Sequence, residues 1–281
     1  MKTLFAITLF FASHFLLAQS GERLFDEMPG MVSYTYRHSF EKDVAATLDT
    51  LQQMGIRDME FSNLFGKSAS EIRKMLDERG MYCSSYGVGY NDLVEKTEEV
   101  AENAKTLGAS FVRVAWIPHD APFELTDANK AIEDFNRAGK ELKEKYDLTF
   151  CYHNHGYEFH PHQAGTLFDH IVQNTDPEYV SFEMDILWVH FPGADPVALL
   201  EKYPDRFKLM HLKDLKKGVK GNLSGGTPVE NNVALGTGQL DMTAILKAAK
   251  KANISHYYIE DESPFYSKQV PRSIEFFKEV R

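Results

Sequence analysis

The sequence predicts an α/β fold, a (β/α)8 TIM barrel formed by a single domain. Short apolar runs typical of strands alternate eight times with longer amphipathic runs typical of helices, and no Gly/Ser-rich linker interrupts the series. The chain of 281 residues is also long enough for such a barrel, which typically takes about 250 residues. An open, doubly wound sheet is the alternative, but no Gly-x-Gly-x-x-Gly motif follows the first predicted strand.

The predicted elements follow each other in order along the chain. The strands lie at 31–36, 56–61, 81–86, 111–116, 148–152, 179–184, 207–212 and 257–259. The helices lie at 42–54, 70–79, 92–107, 127–146, 166–173, 196–202, 242–252 and 273–280. Gly55, Gly80 and Gly108 each follow a predicted helix, where glycine is favoured as a C-terminal cap. The Gly- and Asn-rich stretch 216–237 is predicted to be a long loop after the seventh strand, and such loops are often lids.

The N-terminus has the pattern of a secretory signal. Lys2 precedes an apolar run at 4–17, which small or polar residues end at 18–20. A membrane-spanning helix needs roughly 20 apolar residues, so this run is too short to span and instead matches a signal-peptide core. A buried N-terminal helix is the alternative. We predict a signal peptide at residues 1–18, a barrel domain at 19–281, and an exported protein that is periplasmic or secreted.

The composition excludes some classes of partner. Acidic residues outnumber basic ones by 41 to 31, the formal net charge is −10, and the sequence contains no basic stripe. Binding to nucleic acid through counterion release is therefore disfavoured. No apolar run after residue 18 approaches membrane-spanning length, so we expect no membrane span. We expect a small-molecule partner, and the sequence is compatible with a homo-oligomer.

Groups that are costly to bury gather at the ends of the last four predicted strands. In a (β/α) barrel, active-site residues lie at the C-terminal strand ends, which meet at one face. These ends carry His153, His155 and Glu158, then Glu183 and Asp185, then His211, Lys213 and Asp214, and finally Glu260, Asp261 and Glu262. Each residue alone is more typical of a helix cap, a turn or a structural histidine. Together they would bury several charges, a cost that a bound cation would offset.

These motifs, in this order, resemble those of a known barrel superfamily. The run Tyr-His-Asn-His-Gly-Tyr-Glu-Phe at 152–159, the strand end at Asp185, the run His-Leu-Lys-Asp at 211–214 and the strand end at Glu260 resemble the xylose isomerase-like barrels. Within that superfamily, the chain is similar to sugar phosphate isomerase/epimerases, and the resemblance covers nearly all of the chain after residue 18. The superfamily also includes ketose 3-epimerases, inosose dehydratases and enzymes that act on 3-keto-glycosides.

The resemblance implies a metal site and a carbohydrate substrate. By this resemblance, the metal ligands would be Glu158, Asp185, His211 and Glu260. Three carboxylates and one imidazole suit Mn²⁺ or Mg²⁺, so we expect Mn²⁺ first, with Co²⁺ or Zn²⁺ as alternatives. Such a metal ion would act as a Lewis acid on substrate oxygens. Glu158 and Glu260 would also transfer protons as general acid–base groups.

Other strand-end residues are expected to contact the substrate. His155 would polarise a substrate oxygen as a further catalytic group, and Lys213 would anchor another. Trp188, His153 and Glu60 are further candidates for substrate binding. For Trp188 and Glu60, burial in the core is the alternative interpretation.

Two departures from the ketose epimerases limit what the resemblance implies. Trp188 stands where they carry a substrate-binding histidine, and their arginine after the strand-seven histidine has only Lys213 and Lys217 as replacements. The predicted export argues for an unphosphorylated sugar, as does the lack of a basic cluster beside the eighth strand. We therefore expect a sugar isomerase or epimerase that acts through an enediolate on an unphosphorylated keto sugar. A 3-keto-glycoside lyase or hydratase with the same metal site is one alternative, and a non-catalytic sugar-binding barrel is the other.

Overall fold

A closed barrel of eight parallel strands lies within residues 23–281, which the computed structural model describes. The strands are β1 Gly30–Val32, β2 Asp58–Phe61, β3 Tyr82–Val88, β4 Phe111–Val114, β5 Thr149–His153, β6 Val180–Asp185, β7 Phe207–Leu212 and β8 His256–Ile259. Each strand pairs with its neighbours in the sequence, and β8 closes the barrel against β1. The predicted (β/α)8 fold is confirmed. The predicted signal peptide at residues 1–18 lies outside the described residues.

Helices connect the strands and surround the barrel. They are α1 Arg37–Phe40, α2 Val44–Gln53, α3 Ala69–Asp77, α4 Tyr90–Glu95, α5 Thr97–Leu107, α6 Leu125–Tyr146, α7 Leu167–Asn174, α8 Ile186–His190, α9 Pro196–Lys202, α10 Met242–Lys251 and α11 Tyr266–Glu279. Ser68 and Glu71 form a reciprocal capping box at the start of α3, and Asp241 caps α10. Within residues 23–281, no helix combines the length and apolar character needed to cross a membrane.

The first strand is shorter than predicted. It gives way at residue 33 to a 3-10 helix, Ser33–Tyr36, which leads into α1. The buried Ser33 hydroxyl accepts a hydrogen bond from Ser62 N at 2.8 Å. The buried Thr35 hydroxyl accepts one from Asp261 N at 3.0 Å. These two hydroxyls therefore bind the loops after β2 and β8. They can do so because the backbone turns into the 3-10 helix at residue 33 and no longer continues the strand.

The barrel interior changes from apolar to polar towards the C-terminal ends of the strands. A fully buried apolar cluster, separate from the larger core between strands and helices, consists of Val32, Cys151, Leu209 and Tyr258. Residues two positions apart on a strand lie on the same face. His153, His211 and Glu260 each follow a member of this cluster by two positions, so they continue its inward-facing rows. The fold thus places a polar layer directly above an apolar one.

The loop after β7 lies across the C-terminal face of the barrel. Asp214–Leu215 pairs antiparallel with Asn232–Val233, so the base of the loop is tied together. Gly221 lies against the backbone of Phe191, where an added Cβ would come within 1.5 Å of the carbonyl oxygen. The predicted loop 216–237 is therefore packed against the segment that follows β6, and only glycine allows this close approach.

Candidate metal centre

Side chains from the last four strands converge at the C-terminal face of the barrel. His153, Asp185, His211 and Glu260 are buried, and one ligand atom of each lies within 4.8 Å of the others. His153 Nε2 is 3.1 Å from His211 Nδ1 and 3.6 Å from Asp185 Oδ2. His211 Nδ1 is in turn 2.8 Å from Glu260 Oε2. The cluster therefore offers two imidazole nitrogens and two carboxylate oxygens to a common point.

This set of donors fits a divalent metal ion. Two imidazole nitrogens face each other at 3.1 Å, an arrangement in which one of them has to carry a proton unless both bind a cation. Asp185 Oδ2 is buried and has no hydrogen-bond partner among residues 23–281. Buried polar atoms are rarely left unpaired, because each costs about 1–3 kcal/mol. A cation bound at about 2.0–2.2 Å from nitrogen and oxygen donors would pair with Asp185 Oδ2 and relieve the contact between the two imidazole nitrogens.

A buried carboxylate orients His211 through the ring nitrogen that points away from the cluster. Burial raises the pKa of Glu60, but the charges of Arg113 and His211 outweigh this effect and hold that pKa well below its usual value. Glu60 is therefore ionised, and its Oε1 accepts a hydrogen bond from His211 Nε2 at 2.8 Å. This bond leaves His211 Nδ1 facing the cluster, as in other carboxylate–histidine–metal arrangements. The structure thus places Glu60, which we expected to contact the substrate, behind a candidate ligand.

Two further inner residues lie next to Glu60: Arg113, which the sequence did not single out, and Glu183, which it indicated only as one of the strand-end groups. Arg113 Nη2 lies 2.5 Å from Glu60 Oε1, and Arg113 Nε lies 3.3 Å from Glu183 Oε2. Neither oxygen of Glu183 has a hydrogen-bond partner among residues 23–281. Burial first, and then the charge of Glu60, raise the pKa of Glu183 well above its usual value. Two features of the sequence could have indicated these residues: an arginine inside the apolar strand β4, and a glutamate two positions before Asp185, on the same face of its strand.

Asn154 and the start of α8 fix the orientation of Asp185. The Asn154 side chain accepts a hydrogen bond from Asp185 N at 3.0 Å and donates one to Asp185 O at 3.2 Å. Trp188 N donates to Asp185 Oδ1 at 3.0 Å. Asp185 therefore caps α8 with one oxygen, and the other oxygen is left to face the cluster.

The structure does not bring Glu158 into the cluster. Gly156 adopts a φ of 93°, which favours glycine, and the chain turns back into the 3-10 helix Tyr157–Phe159. The Glu158 carboxylate is thereby fully buried, accepting hydrogen bonds from Tyr152 OH and from His155 N at 3.0 Å. Burial raises the pKa of Glu158 to about 7, against the effect of these hydrogen bonds. His153, which we expected to bind substrate, occupies the place in the cluster that the resemblance assigned to Glu158.

Lys213 places a positive charge beside the cluster. Its ammonium group is buried, 3.3 Å from Glu260 Oε2 and 3.8 Å from Asp185 Oδ2, and it also pairs with Glu262. Burial lowers the pKa of Lys213, but these carboxylates outweigh burial and hold the pKa above its usual value. Lys213 is therefore a charged hydrogen-bond donor next to two of the candidate ligands.

His155 links the cluster to an aromatic surface. Its ring centroid lies 4.9 Å from that of His153 and 5.6 Å from that of Trp188, on which it stacks. Burial, followed by the neighbouring His153 and Lys213, lowers the pKa of His155 to about 3, so the imidazole is neutral. Trp188 is almost fully buried, and Lys213 Nζ lies 5.4 Å from its ring centroid. Trp188 therefore packs against both His155 and Lys213, and little of its surface is left to contact a ligand.

The fold and the cluster together define a barrel protein suited to holding a divalent cation at its C-terminal face. Residues 48–280 match the model of the xylose isomerase-like TIM barrel family. The chain belongs to this family.

Relatives of this chain include lyase-type and isomerase-type carbohydrate enzymes. An inosose dehydratase from Geobacillus kaustophilus is 26% identical over 222 residues, which cover 69% of this chain and 67% of that protein. A sugar phosphate isomerase/epimerase from Parabacteroides distasonis has a structure with a TM-score of 0.71 and 25% identity, covering 89% of this chain and 95% of that one. The IOLI protein with a bound zinc atom has a TM-score of 0.70, covering 90% of this chain and 96% of that one; at 15% identity it shows the fold alone. The chain is thus a member of an enzyme family of sugar isomerases, epimerases and inosose dehydratases.

Proposed function

We propose that this protein is a metal-dependent carbon–oxygen lyase that acts on an unphosphorylated keto sugar or 3-keto-glycoside. His153, Asp185, His211 and Glu260 would hold the metal ion. The observation that carries the choice of reaction is the 3.3 Å separation between Lys213 Nζ and Glu260 Oε2. An ammonium group and a carboxylate at this distance could serve as the proton donor and the proton acceptor of an elimination.

The ligand set changes the expected metal. When bound, the ion would act as a Lewis acid that polarises the ketone oxygen of the substrate. With His153 in place of Glu158, the set has two imidazoles instead of one, and imidazole suits Zn²⁺ and other transition metals better than Mg²⁺. We therefore propose Zn²⁺, Mn²⁺ or Co²⁺ as the resident ion. The zinc atom in the structurally similar IOLI protein is in line with this proposal.

Glu260 and Lys213 are suited to different steps of an elimination. Glu260 is the most exposed of the four candidate ligands, and Lys213 and His211 hold its pKa well below the usual value, against the effect of burial. As a carboxylate, it would accept the proton from the carbon next to the ketone. Lys213 would donate a proton to the oxygen that leaves the neighbouring carbon. The C–H and C–O bonds break, a C=C bond forms, and water or an alcohol is released.

The positions of these two groups favour elimination over epimerisation. An epimerase needs a proton acceptor and a proton donor on opposite faces of one carbon, whereas an elimination needs them at adjacent atoms. Glu158, which could have served the opposite face, is held beneath the β5 loop by Tyr152 and His155. Lys213 and Glu260 lie next to each other, as elimination requires.

A second candidate is an epimerase that acts on an unphosphorylated keto sugar through the same enediolate. The likeness to the Parabacteroides distasonis isomerase/epimerase favours it. The pKa of Glu158 near 7 would suit a general acid–base group, provided that its carboxylate left the hydrogen bonds to Tyr152 and His155. Both candidates share the removal of a proton next to a ketone and differ in the fate of the enediolate.

A neutral substrate is proposed for both candidates. Three carboxylates surround Lys213, and their negative charge disfavours a phosphate group at this site. The predicted export supports the same choice, since phosphorylated sugars belong mainly to the cytoplasm.

The test is to incubate the purified protein, loaded with Zn²⁺, Mn²⁺ or Co²⁺, with phenyl 3-keto-β-glucoside in D₂O. Phenol release reports elimination, and NMR reports deuterium uptake next to the ketone. We expect metal-dependent phenol release by the wild type. Lys213→Met should retain deuterium uptake but release phenol at least about 100-fold more slowly, because general acid catalysis is typically worth 10²–10⁴-fold.

Other outcomes would decide against the lyase. Deuterium uptake with a C2 epimer and no phenol would show the epimerase instead. Neither uptake nor release with any of the three metals, across keto-glycosides and free ketoses, would leave the non-catalytic sugar-binding barrel.

A further inference from the structure

Trp116 is an aromatic side chain at the C-terminal face, outside the ligand cluster. It follows β4 by two residues, and 44% of its surface is exposed. A single exposed apolar residue is ordinary on a protein surface and by itself indicates nothing. The neighbours of Trp116 and its position relative to the metal centre are what distinguish it.

Three neighbouring rings hold the Trp116 indole in place. Its ring centroid lies 4.6 Å from Tyr157 and 5.3 Å from His155, both edge to face. His119 stacks against it at 5.2 Å with an interplanar angle of 24°. The connecting backbone is also anchored, since Ile117 N donates to Tyr157 OH at 2.8 Å and Ile117 O bonds His119 Nδ1 at 2.7 Å. An indole fixed in this way binds a flat ligand with little loss of side-chain entropy.

One ring separates Trp116 from the metal centre. His155 contacts the Trp116 ring on one side, and its own ring lies 4.9 Å from that of His153 on the other. A glycoside whose keto sugar lies at the cluster and whose aglycone points along His155 would reach this surface. The next ring of the same substrate, attached through the glycosidic oxygen, would meet the exposed indole.

We propose that Trp116 forms a second subsite, which binds the aglycone ring of a glycoside while its keto sugar occupies the metal centre. This inference rests on the proposed lyase and deepens it, because it names glycosides, and not free keto sugars, as the substrate class. The glycosidic oxygen is then the group that the elimination expels. An indole packs well against an aryl ring or the C–H face of a pyranose, which identifies the aglycone as a ring.

The first test is binding, measured without catalysis. The chain contains two tryptophans, so Trp188→Phe leaves Trp116 as the only one. Phenyl β-D-glucopyranoside, cellobiose and methyl β-D-glucopyranoside share one sugar and differ in the group attached to it. We expect the emission of Trp116 to change with the first two, and not with the methyl glycoside. A response to phenyl β-D-glucopyranoside but not to cellobiose would show that the subsite is specific for aryl aglycones.

Two results of this titration would overturn the inference. One is an equal response to all three ligands, and the other is no response to either ring-bearing ligand at saturating concentrations. If Trp188→Phe does not fold, the difference in emission between the wild type and Trp116→Phe gives the same information, because Trp116 is at the surface.

The second test separates the subsite from the chemistry. Trp116→Ala should raise KM for phenyl 3-keto-β-glucoside by about 3- to 10-fold, the value of one aromatic contact, with kcat unchanged. KM for methyl 3-keto-β-glucoside should stay the same, and Trp116→Phe should keep most of the affinity for the phenyl compound. Equal effects on both substrates would show a merely structural role and refute the subsite. If the wild type turns over neither substrate, the proposed lyase fails, and the titration still decides on Trp116.

Discussion

Replacing Glu60 by glutamine tests how the inner layer supports the metal centre. Glu60 Oε1 accepts hydrogen bonds from His211 Nε2 at 2.8 Å and from Arg113, and its Oε2 accepts one from Ser85 at 2.6 Å. Glutamine has the same shape, and its amide nitrogen can face Ser85, whose hydroxyl can accept as well as donate. The substitution therefore removes the charge behind His211 while keeping an acceptor in place.

The expected effect is on metal affinity. Loss of an outer carboxylate partner of a ligating histidine typically weakens metal binding by 10–100-fold, so we expect Kd to rise by about that factor. This corresponds to about 1.4–2.8 kcal/mol. The fold should survive, because Glu183 lies 3.3 Å from Arg113 and can supply the missing charge. The charge of Glu60 is one cause of the raised pKa of Glu183, so its removal lowers that pKa. Glu183 Oε2 also lies 3.3 Å from His211 Nε2, so it compensates in part, and the loss of metal affinity should lie towards the lower end of the range.

Glu183→Gln is the matched control. Glu183 Oε2 lies 3.3 Å from His211 Nε2 but, unlike Glu60, forms no hydrogen bond with it, so an amide there should reduce metal affinity less than Glu60→Gln does. The double variant should lose about 3–5 kcal/mol in the free energy of unfolding, because it buries the Arg113 guanidinium without a carboxylate.

Competition of the metal-free proteins with a chromogenic zinc chelator gives the dissociation constants of the wild type and the two single variants. Urea unfolding gives the stabilities of all four proteins. An unchanged Kd in Glu60→Gln would refute the role of Glu60 behind His211. An equal loss of metal affinity in Glu183→Gln would also refute this role, because removing any buried carboxylate near Arg113 would then have the same effect.

Further predictions concern Glu158 and Lys213. The pKa of Glu158 is about 7 in the folded protein, against 4.5 for an ordinary glutamate, so the folded state binds this proton more tightly than the unfolded state does. The resulting stabilisation is full below pH 4.5 and is lost as the pH rises through 7. Urea unfolding of the metal-free protein should therefore show a loss of about 3 kcal/mol between pH 4.5 and 8 that Glu158→Gln lacks, and parallel pH profiles would contradict this. Lys213→Met should destabilise the metal-free protein by about 3–5 kcal/mol, because it leaves buried carboxylates unpaired, and bound metal should restore much of this. Thermal denaturation with and without Zn²⁺ checks it, and an equal loss in both states would disprove the compensation.

The strand-end groups could be located from the sequence because a parallel barrel imposes simple geometry. All its strands end at one face, and residues two apart on a strand share a side. Asp185, His211 and Glu260 follow from these rules, since each lies at or beside the end of a strand that alternating apolar runs predict. Lys213, two residues after His211, follows from them as well.

The position of Glu158 could not be predicted, because it lies in a loop with no periodic geometry. Its direction depends on Gly156, whose left-handed backbone turns the chain back beneath the strand end. The choice between His153 and Glu158 as the fourth member of the cluster depends on this turn. Spacing within a motif does not reveal it.

The inner layer also depends on contacts between distant parts of the chain. Glu60 and Arg113 are 53 positions apart, and Glu60 and His211 are 151 apart. The sequence shows each as a charged residue in an apolar strand. Only the closed barrel shows that they meet, and that Glu60 therefore supports His211 and does not face the substrate.

The most direct test of the central claim is the metal affinity of two variants measured side by side. If His153, Asp185, His211 and Glu260 hold the ion, His153→Ala should bind Zn²⁺ at least about 100-fold more weakly than the wild type, since it loses a direct ligand. Glu158→Gln should bind within a few-fold of the wild type. The reverse order, with Glu158→Gln the weaker binder and His153→Ala nearly unaffected, would contradict the assignment.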